Sequence, residues 1–152
     1  TLTADADYTF FLAGYDQDQN FIRNINAQWS IQGNIGSLST GDSYASSTKF
    51  TASAVGSGTI KADTASFSDI TGAITITNGE LAKLIIRDGT NGGGVEVGDI
   101  SLTTDDNILL YAAGYDADDN YISDVAASWS STGTLDQISA EQKSSYSFTS
   151  VN

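Results

Sequence analysis

Short segments that alternate apolar with polar or small residues run through much of the chain. Residues 25–31 read INAQWSI, so every second side chain is apolar and falls on one face of a strand. Four further segments have strand-forming composition: residues 8–15, 47–54, 58–64 and 71–77. Turn residues such as Gly, Asn, Asp and Ser separate these segments. No segment shows apolar residues at helical spacing, so we predict an all-β chain with almost no helix.

The chain repeats itself at an offset of 100 residues. Residues 11–40 align without gaps with residues 111–140, and twelve of the thirty pairs are identical. The longest identical run is Ala-Gly-Tyr-Asp, at residues 13–16 and again at residues 113–116. A unit of about 100 residues has the size of one β-sandwich domain. We therefore predict two copies, residues 1–78 and residues 79–152.

The spacing of the predicted strands indicates a fold for each copy. Roughly six or seven short strands, separated by turn signals, are typical of a β-sandwich. Residues 81–86 (LAKLII) begin a copy and have no counterpart in the first copy. We thus predict tandem immunoglobulin-like β-sandwiches, the first lacking its opening strand and the second its last strands. Either the neighbours in a longer chain complete each sandwich, or strands from another copy do so, as in strand-addition assembly.

Two strings of sequence carry a family resemblance. They are residues 113–136 (AGYDADDNYISDVAASWSSTGTLD) and residues 49–86 (KFTASAVGSGTIKADTASFSDITGAITITNGELAKLII). They resemble the bacterial and archaeal Ig-like (Big-type) tandem repeats of surface and extracellular proteins. The resemblance implies a stalk, an adhesin shaft, an S-layer or fibre unit, or an accessory module of a secreted enzyme. The family often has Gly where this chain has Gln19 and Asp119, which leaves the geometry of that loop open.

The composition excludes several classes of function. Nineteen Asp and Glu face six Lys and Arg, giving a net charge of -13, so nucleic acid and anionic membranes are repelled. The chain has no Cys and no His, which removes thiol nucleophiles, Cys-zinc sites and the commonest general base. No apolar window of about 18 residues occurs, so we expect no direct membrane insertion. We expect no catalytic residues and no enzyme.

An Asp-x-Asp-x-Asn loop occurs in both copies. Its members are Asp16, Asp18 and Asn20 in the first copy and Asp116, Asp118 and Asn120 in the second. Oxygen ligands at alternate positions of a tight loop can converge on a hard cation such as Ca²⁺. The alternative is an Asx-turn, in which acidic and amide side chains bond their own backbone. Calcium is the cofactor that the sequence suggests, and the Asx-turn stays open beside it.

The aromatic residues have a structural and a sugar-binding interpretation. Trp29 and Trp129 each lie mid-strand on an apolar face, so we predict that both are core residues. The aromatic residues beside the acidic loops are predicted to cover the end of the sandwich, with carbohydrate contact as the alternative: Tyr15, Tyr115, Phe21 and Tyr121. Residues 91–94 (NGGG) predict a hairpin turn or a bulge.

These features together favour a non-catalytic structural repeat of an extracellular or cell-surface protein. Such a chain would serve as a stalk, a spacer or a fibre subunit, assembling by strand complementation and stiffened by calcium. Its expected partners are neighbouring repeats or copies of itself. The alternative is an adhesin or carbohydrate-binding module that holds a surface ligand or a glycan.

Overall fold

A computed structural model describes residues 1–133, 135, 138 and 141–150. These residues form strands and turns without a helix, which confirms the prediction of an all-β chain. The chain divides into two compact units, unit 1 (Thr1–Gly79) and unit 2 (Glu80–Asn152). The repeat position Ser139 and the last two residues of the predicted second copy, Val151 and Asn152, lie outside the described residues.

The strands of unit 1 are short. In chain order they are β1 (Leu2–Thr3), β2 (Asp7–Phe11), β3 (Ala13–Tyr15), β4 (Phe21–Asn24), β5 (Ala27–Gln32), β6 (Gly36–Leu38), β7 (Tyr44–Ala45), β8 (Ser47–Ala52), β9 (Gly56–Asp63), β10 (Ser68–Ile70) and β11 (Ile74–Thr77). One sheet has the order β2–β8–β6, and another has the order β1–β11–β9–β5–β7 with β10 paired to β9. β3 and β4 form a separate two-stranded sheet.

The core of unit 1 takes apolar side chains from both larger sheets. Ala27 and Trp29 of β5 are buried, whereas Gln28 and Ser30 beside them are exposed. The other buried members of this core are Ala4, Ile35, Phe50, Ala52, Ile60, Ala62 and Ile76. The alternation that predicted a strand at residues 25–31 therefore reflects the burial of one face against the core.

The predicted strand at residues 8–15 is divided in the structure. β2 pairs with β8 and β3 pairs with β4, so the chain changes its partner at Leu12. Leu12 joins both neighbours, because its N–H donates to the Ser46 carbonyl and its carbonyl accepts the Ile25 N–H. The strand β4 was not predicted, since it directly follows a turn signal and its polar residues hide the strand pattern.

Unit 2 has six strands among its described residues. They are β12 (Lys83–Arg87), β13 (Asn107–Tyr115), β14 (Tyr121–Asp124), β15 (Ala127–Ser128), β16 (Gln142–Lys143) and β17 (Ser145–Thr149). The long strand β13 lies between β12 and β14 and also pairs with β17. β15 and β16 form a two-stranded sheet.

The two units share local geometry as well as sequence. β3 with β4 and β13 with β14 have the same register, and both pairs carry a bulge after the glycine, Gly14 or Gly114. Backbone hydrogen bonds recur at equivalent places: Leu12 to Ser46 at 3.1 Å and Ala112 to Ser144 at 2.9 Å, and Ile25 to Leu12 at 2.8 Å and Val125 to Ala112 at 2.9 Å. Similar sequence in the two units thus produces the same hairpin.

Candidate functional site

The acidic loop of unit 1 is a turn held by its first residue. The N–H of Asp16 donates to the Asn20 carbonyl at 3.0 Å, which closes the loop between β3 and β4. Asp16 Oδ1 accepts the N–H groups of Asp18 at 3.0 Å and of Asn20 at 2.9 Å. The side-chain Nδ2 of Asn20 donates to Asp16 Oδ2 at 3.1 Å. One carboxylate thus accepts hydrogen bonds from three donors of the turn.

The loop of unit 2 has the same hydrogen bonds. Asp116 Oδ1 accepts the N–H of Asp118 at 3.1 Å and that of Asn120 at 2.8 Å, and Asn120 Nδ2 lies 2.9 Å from Asp116 Oδ2. Gln19 and Asp119 take left-handed φ values of 64° and 70°. The turn therefore keeps the backbone conformation that glycine favours, although neither residue is glycine.

These contacts are those of an Asx-turn, one of the two interpretations of the loop. Hydrogen bonds from the Asn20 backbone and side chain hold the pKa of Asp16 below its ordinary value. Asn20 Nδ2 donates to both oxygens of this carboxylate, at 3.3 Å and 3.1 Å, so Asn20 contacts Asp16 through its amide nitrogen. In the part of the chain that the structure describes, no group of three or more His, Cys, Asp or Glu is placed to hold a metal. Calcium binding stays a prediction.

Two further acids of unit 2 hold other segments against the loop. Asp119 forms an ion pair with Lys83 at the start of β12. Asp124 accepts hydrogen bonds from the Tyr121 hydroxyl at 3.0 Å and from the Asn91 N–H at 2.9 Å. Burial alone raises the pKa of Asp124, but its hydrogen bonds, the one from Asn91 foremost, outweigh burial and lower it. Burial, and then the Asp124 carboxylate, raise the pKa of Tyr121.

Residues 91–94 form the hairpin turn that the sequence predicts. Asn91, Gly92 and Gly94 have left-handed φ values. On the two sides of the turn, the backbones of Arg87 and Glu96 form an isolated antiparallel β-bridge. A Cβ at Gly92 would lie 2.7 Å from the ring of Tyr121, so the turn packs closely on this side chain. The hairpin after β12 therefore packs against Tyr121, which begins β14 directly after the acidic loop.

The hairpin that the two units share, β3–β4 in unit 1 and β13–β14 in unit 2, is exposed in unit 1 and buried in unit 2. Tyr15 is 59% exposed, whereas Tyr115 is 8% exposed. Asp116 is fully buried, whereas Asp16 is exposed. The difference follows from β12, which pairs with β13 over Lys83–Tyr115, Leu84–Gly114 and Ile85–Ala113. Among the described residues, the equivalent strand β3 of unit 1 pairs with β4 alone.

A groove lies beside the exposed hairpin of unit 1. It has a volume of about 630 Å³ and extends between β3–β4 and the end of β9 with the following turn. Leu12, Gly14 and Ile22 line one wall, and Ala62 and Phe67 line the other. The sequence did not predict this groove, because a cavity depends on how separate strands pack. The one feature of the sequence that indicates the groove is that the first copy has no counterpart to residues 81–86.

The tryptophans occupy the positions that the sequence predicts. Trp29 and Trp129 are both buried. Each indole N–H donates to a backbone carbonyl at 2.8 Å, that of Ala45 in unit 1 and that of Lys143 in unit 2. Their polar atoms are thus satisfied inside the protein, and the prediction of core residues is confirmed. Of the aromatic residues beside the loops, Tyr115 is buried, whereas Tyr15 and Phe21 are exposed.

The comparisons give this chain no family. No protein-family model, no curated protein and no solved structure matches it. Among the described residues there is no helix with the length and apolar character needed to cross a membrane.

Proposed function

We propose that this chain is a non-catalytic structural repeat of an extracellular or cell-surface protein, acting as a stalk, spacer or fibre subunit. Each unit would be an immunoglobulin-like β-sandwich of the tandem-repeat type. One observation carries the proposal: the hairpin of unit 1 recurs in unit 2 with the same register, the same bulge and the same turn hydrogen bonds. Repetition of a whole unit is typical of proteins that build length.

The chemistry of the loops supports an architectural role. Asp16 and Asp116 each accept backbone N–H groups of their own turn, so their carboxylates stabilise the hairpin. Asp119 and Asp124 connect the turn of unit 2 to β12 and to its hairpin. The carboxylates of these four residues thus act within the fold.

A light-scattering measurement of the mass of the 152-residue chain tests the proposed role. A spacer or fibre subunit gives single chains or open-ended assemblies that grow with concentration. A discrete closed oligomer would contradict the proposal, because closed point-group symmetry ends growth.

Calcium forms the second part of the proposal. Cations bound at the two acidic loops would neutralise repulsion in a chain of net charge -13 and stiffen the repeat. Thermal unfolding in millimolar calcium and in excess chelator tests this. Equal melting temperatures under the two conditions would exclude a stiffening role for calcium.

An adhesin or carbohydrate-binding module is the alternative, and the groove of unit 1 favours it. Its volume lies within the range of about 300–1,000 Å³ that is usual for small-molecule sites. Tyr15 and Phe67 line it and are exposed, and Arg23 and Asp69 add charged groups. Saturable binding on a glycan array, lost in Phe67→Ala, would favour this function over the structural one.

A further inference from the structure

We propose that the groove of unit 1 is an acceptor site for one more β-strand, the opening segment of another repeat with the sequence pattern of residues 81–87. This strand would pair antiparallel with β3, as β12 pairs with β13. The inference deepens the proposed function and rests on it, because it names the partner that a structural repeat would bind.

In unit 2, β12 and β13 already form the strand pair that we propose for the groove of unit 1. β12 runs antiparallel to β13, and the N–H of Ala82 donates to the Tyr115 carbonyl at 2.8 Å. A Cβ at Gly114 would lie 2.7 Å from Leu81 Cδ1, so the absence of a side chain at this glycine admits the leucine. The segment thus provides both a paired backbone and an apolar side chain.

Unit 1 presents the same edge without that segment. Ala13, Gly14 and Tyr15 are identical to their counterparts in unit 2, and they have the same register with the following strand. Because Leu12 directs its N–H and carbonyl toward Ser46 and Ile25, the alternation of a strand turns those of Ala13 to the opposite edge. That edge borders the groove, which Ala13, Gly14 and Tyr15 line.

The exposure of apolar side chains indicates that this surface is built to be covered. Tyr15, Phe21 and Ile22 are each more than half exposed in unit 1. Their counterparts Tyr115, Tyr121 and Ile122 are buried or half-buried beside β12 and its hairpin. The same positions of the repeat thus differ in burial where one unit has an added strand and the other has none. An occupant of the groove would remove this apolar surface from water.

The number of strands identifies the occupant. Within the described residues there are two edges of this kind, on β3 and on β13, and one strand, β12, that fits them. Exchange of β12 between two copies of the chain would fill one edge and open another, so it would leave the number of open edges unchanged. The occupant is therefore the opening segment of a further repeat. A surplus copy of residues 80–98 reproduces its chemistry.

The register of unit 2 predicts the contacts in unit 1. Lys83 of the added segment would face Tyr15, Leu84 would face Gly14, and Ile85 would face Ala13. The leucine at position 81 would enter the groove above Gly14, where the side chain of Ile25 now lies close. Ile25 would have to turn aside, because its Cγ1 and Cδ1 lie 2.7 Å and 2.8 Å from where a Cβ on Gly14 would stand.

Two positions make the edge of unit 1 a weaker acceptor than that of unit 2. Gln19 stands where Asp119 pairs with Lys83, so the ion pair is missing. Asn24 stands where the Asp124 carboxylate accepts the N–H of Asn91 and the hydroxyl of Thr90, both in the segment that would be added. Backbone pairing and apolar contacts in the groove would therefore supply most of the binding free energy, and the side chains of the loop would add little.

A titration of the isotope-labelled 152-residue chain with a synthetic peptide of residues 80–98 tests the proposal. We expect saturable binding of one peptide per chain, with NMR shifts at Gly14, Tyr15 and the groove residue Phe67. The edge of β13 would stay unchanged, because β12 of the same chain holds it at a high effective concentration. A peptide of the same composition in scrambled order is the control.

Three variants define the site. Gly14→Ala is expected to weaken binding by about tenfold or more, because the added methyl occupies the space above the glycine. Leu81→Asp in the peptide should abolish binding, and this change cannot unfold the acceptor. Gln19→Asp restores the acid that pairs with Lys83 in unit 2 and should tighten binding by about two- to fivefold at low salt.

The outcomes separate the inference from the proposed function. No binding up to the solubility limit, or binding unaffected by both Gly14→Ala and Leu81→Asp, would overturn the acceptor site and leave the structural repeat standing. Peptide binding at Gly14 in a chain that forms a closed oligomer by light scattering would support the acceptor site and contradict the structural role. Shifts at Gly114 instead of Gly14 would also overturn the inference.

Discussion

Asp16 and Asp116 make the same hydrogen bonds in surroundings that differ. Each carboxylate accepts the N–H groups two and four residues ahead, at 2.8 to 3.1 Å. Asp116 is fully buried, whereas Asp16 is exposed to water. The hydrogen bonds of unit 2 are partly buried, so their donors keep part of their desolvation cost when the acceptor is lost, whereas the exposed donors of unit 1 can bond to water instead. The same residue type therefore carries a different energetic weight in each unit.

Alanine substitutions at these two positions measure that difference. Asp116→Ala should lower the free energy of unfolding of unit 2 by about 1–3 kcal/mol, because the N–H groups of Asp118 and Asn120 lose a buried acceptor. Asp16→Ala should destabilise unit 1 less. Trp29 and Trp129 provide one fluorescent reporter per unit, so denaturant titrations in Trp→Phe backgrounds follow each unit separately. Equal losses in the two units would contradict this account.

The shifted pKa values of Asp124 and Tyr121 predict that the stability of unit 2 depends on pH in two ranges. The pKa of Asp124 is lowered in the folded chain, so its contribution is present at neutral pH and is lost as the pH falls below about 4. The pKa of Tyr121 is raised, so its contribution is present below about pH 10 and is lost as the pH rises above that value. Denaturation followed through Trp129 across this range measures both effects.

Unit 1 provides the matched control substitutions. It has Asn24 and Phe21 at the two equivalent positions, so Asp124→Asn and Tyr121→Phe each introduce its residue into unit 2. Asp124→Asn should reduce the pH dependence of the free energy of unfolding in the acid range. Tyr121→Phe should reduce it in the alkaline range. Some acid dependence will remain, because hydrogen bonds from Thr103 also lower the pKa of Asp106. An alkaline range that is unchanged by Tyr121→Phe would contradict the assignment.

At the scale of elements, β12 makes the difference between the two hairpins. It supplies five paired residues to β13, from Lys83–Tyr115 to Arg87–Tyr111. The segment after it packs on Tyr121 and donates to Asp124. β3 has the same sequence as the end of β13 but remains in a two-stranded sheet. Sequence identity thus fixes the hairpin, and the neighbouring strand determines its burial.

A proline at the start of β12 tests this dependence. Ala82→Pro removes the N–H that donates to the Tyr115 carbonyl at 2.8 Å and should detach the first residues of β12 from the edge. Unit 2 should lose stability, and Tyr115 should become accessible to chemical modification as Tyr15 is. Unit 1 should be unaffected, which the Trp29 signal checks. A stable unit 2 with Tyr115 still protected would show that other contacts bury the hairpin.

Some of these elements could be predicted from the sequence and others could not. The alternation at residues 25–31 correctly predicts β5, because Trp29 and Ala27 face a core. The sequence pattern does not predict β4, because its residues Phe21 to Asn24 are all exposed and no buried face makes them alternate. Local hydrogen bonding at Asp16 is short in range and was among the predicted alternatives. The groove joins residues about fifty positions apart, and no local pattern describes it.

At the scale of the whole molecule, the chain is two units with one repeated hairpin and an unequal set of strands. Unit 2 has a strand at the edge of its hairpin, and unit 1 has a groove at the equivalent edge. An unpaired strand edge is a template for pairing with another chain, so natural proteins cover it or assemble through it. Assembly through this edge agrees with the proposed structural repeat.

Site-resolved hydrogen exchange of the full chain tests the central claim, that the two hairpins share one geometry and differ in burial because of the added strand. The amides of Asn20 and Asn120 should both be protected, because each donates to the aspartate that begins its turn. The amide of Ala113 should exchange slowly beside β12, and that of Ala13 should exchange rapidly at the open edge. Equal protection of Ala13 and Ala113, or a turn protected in one unit alone, would contradict the account.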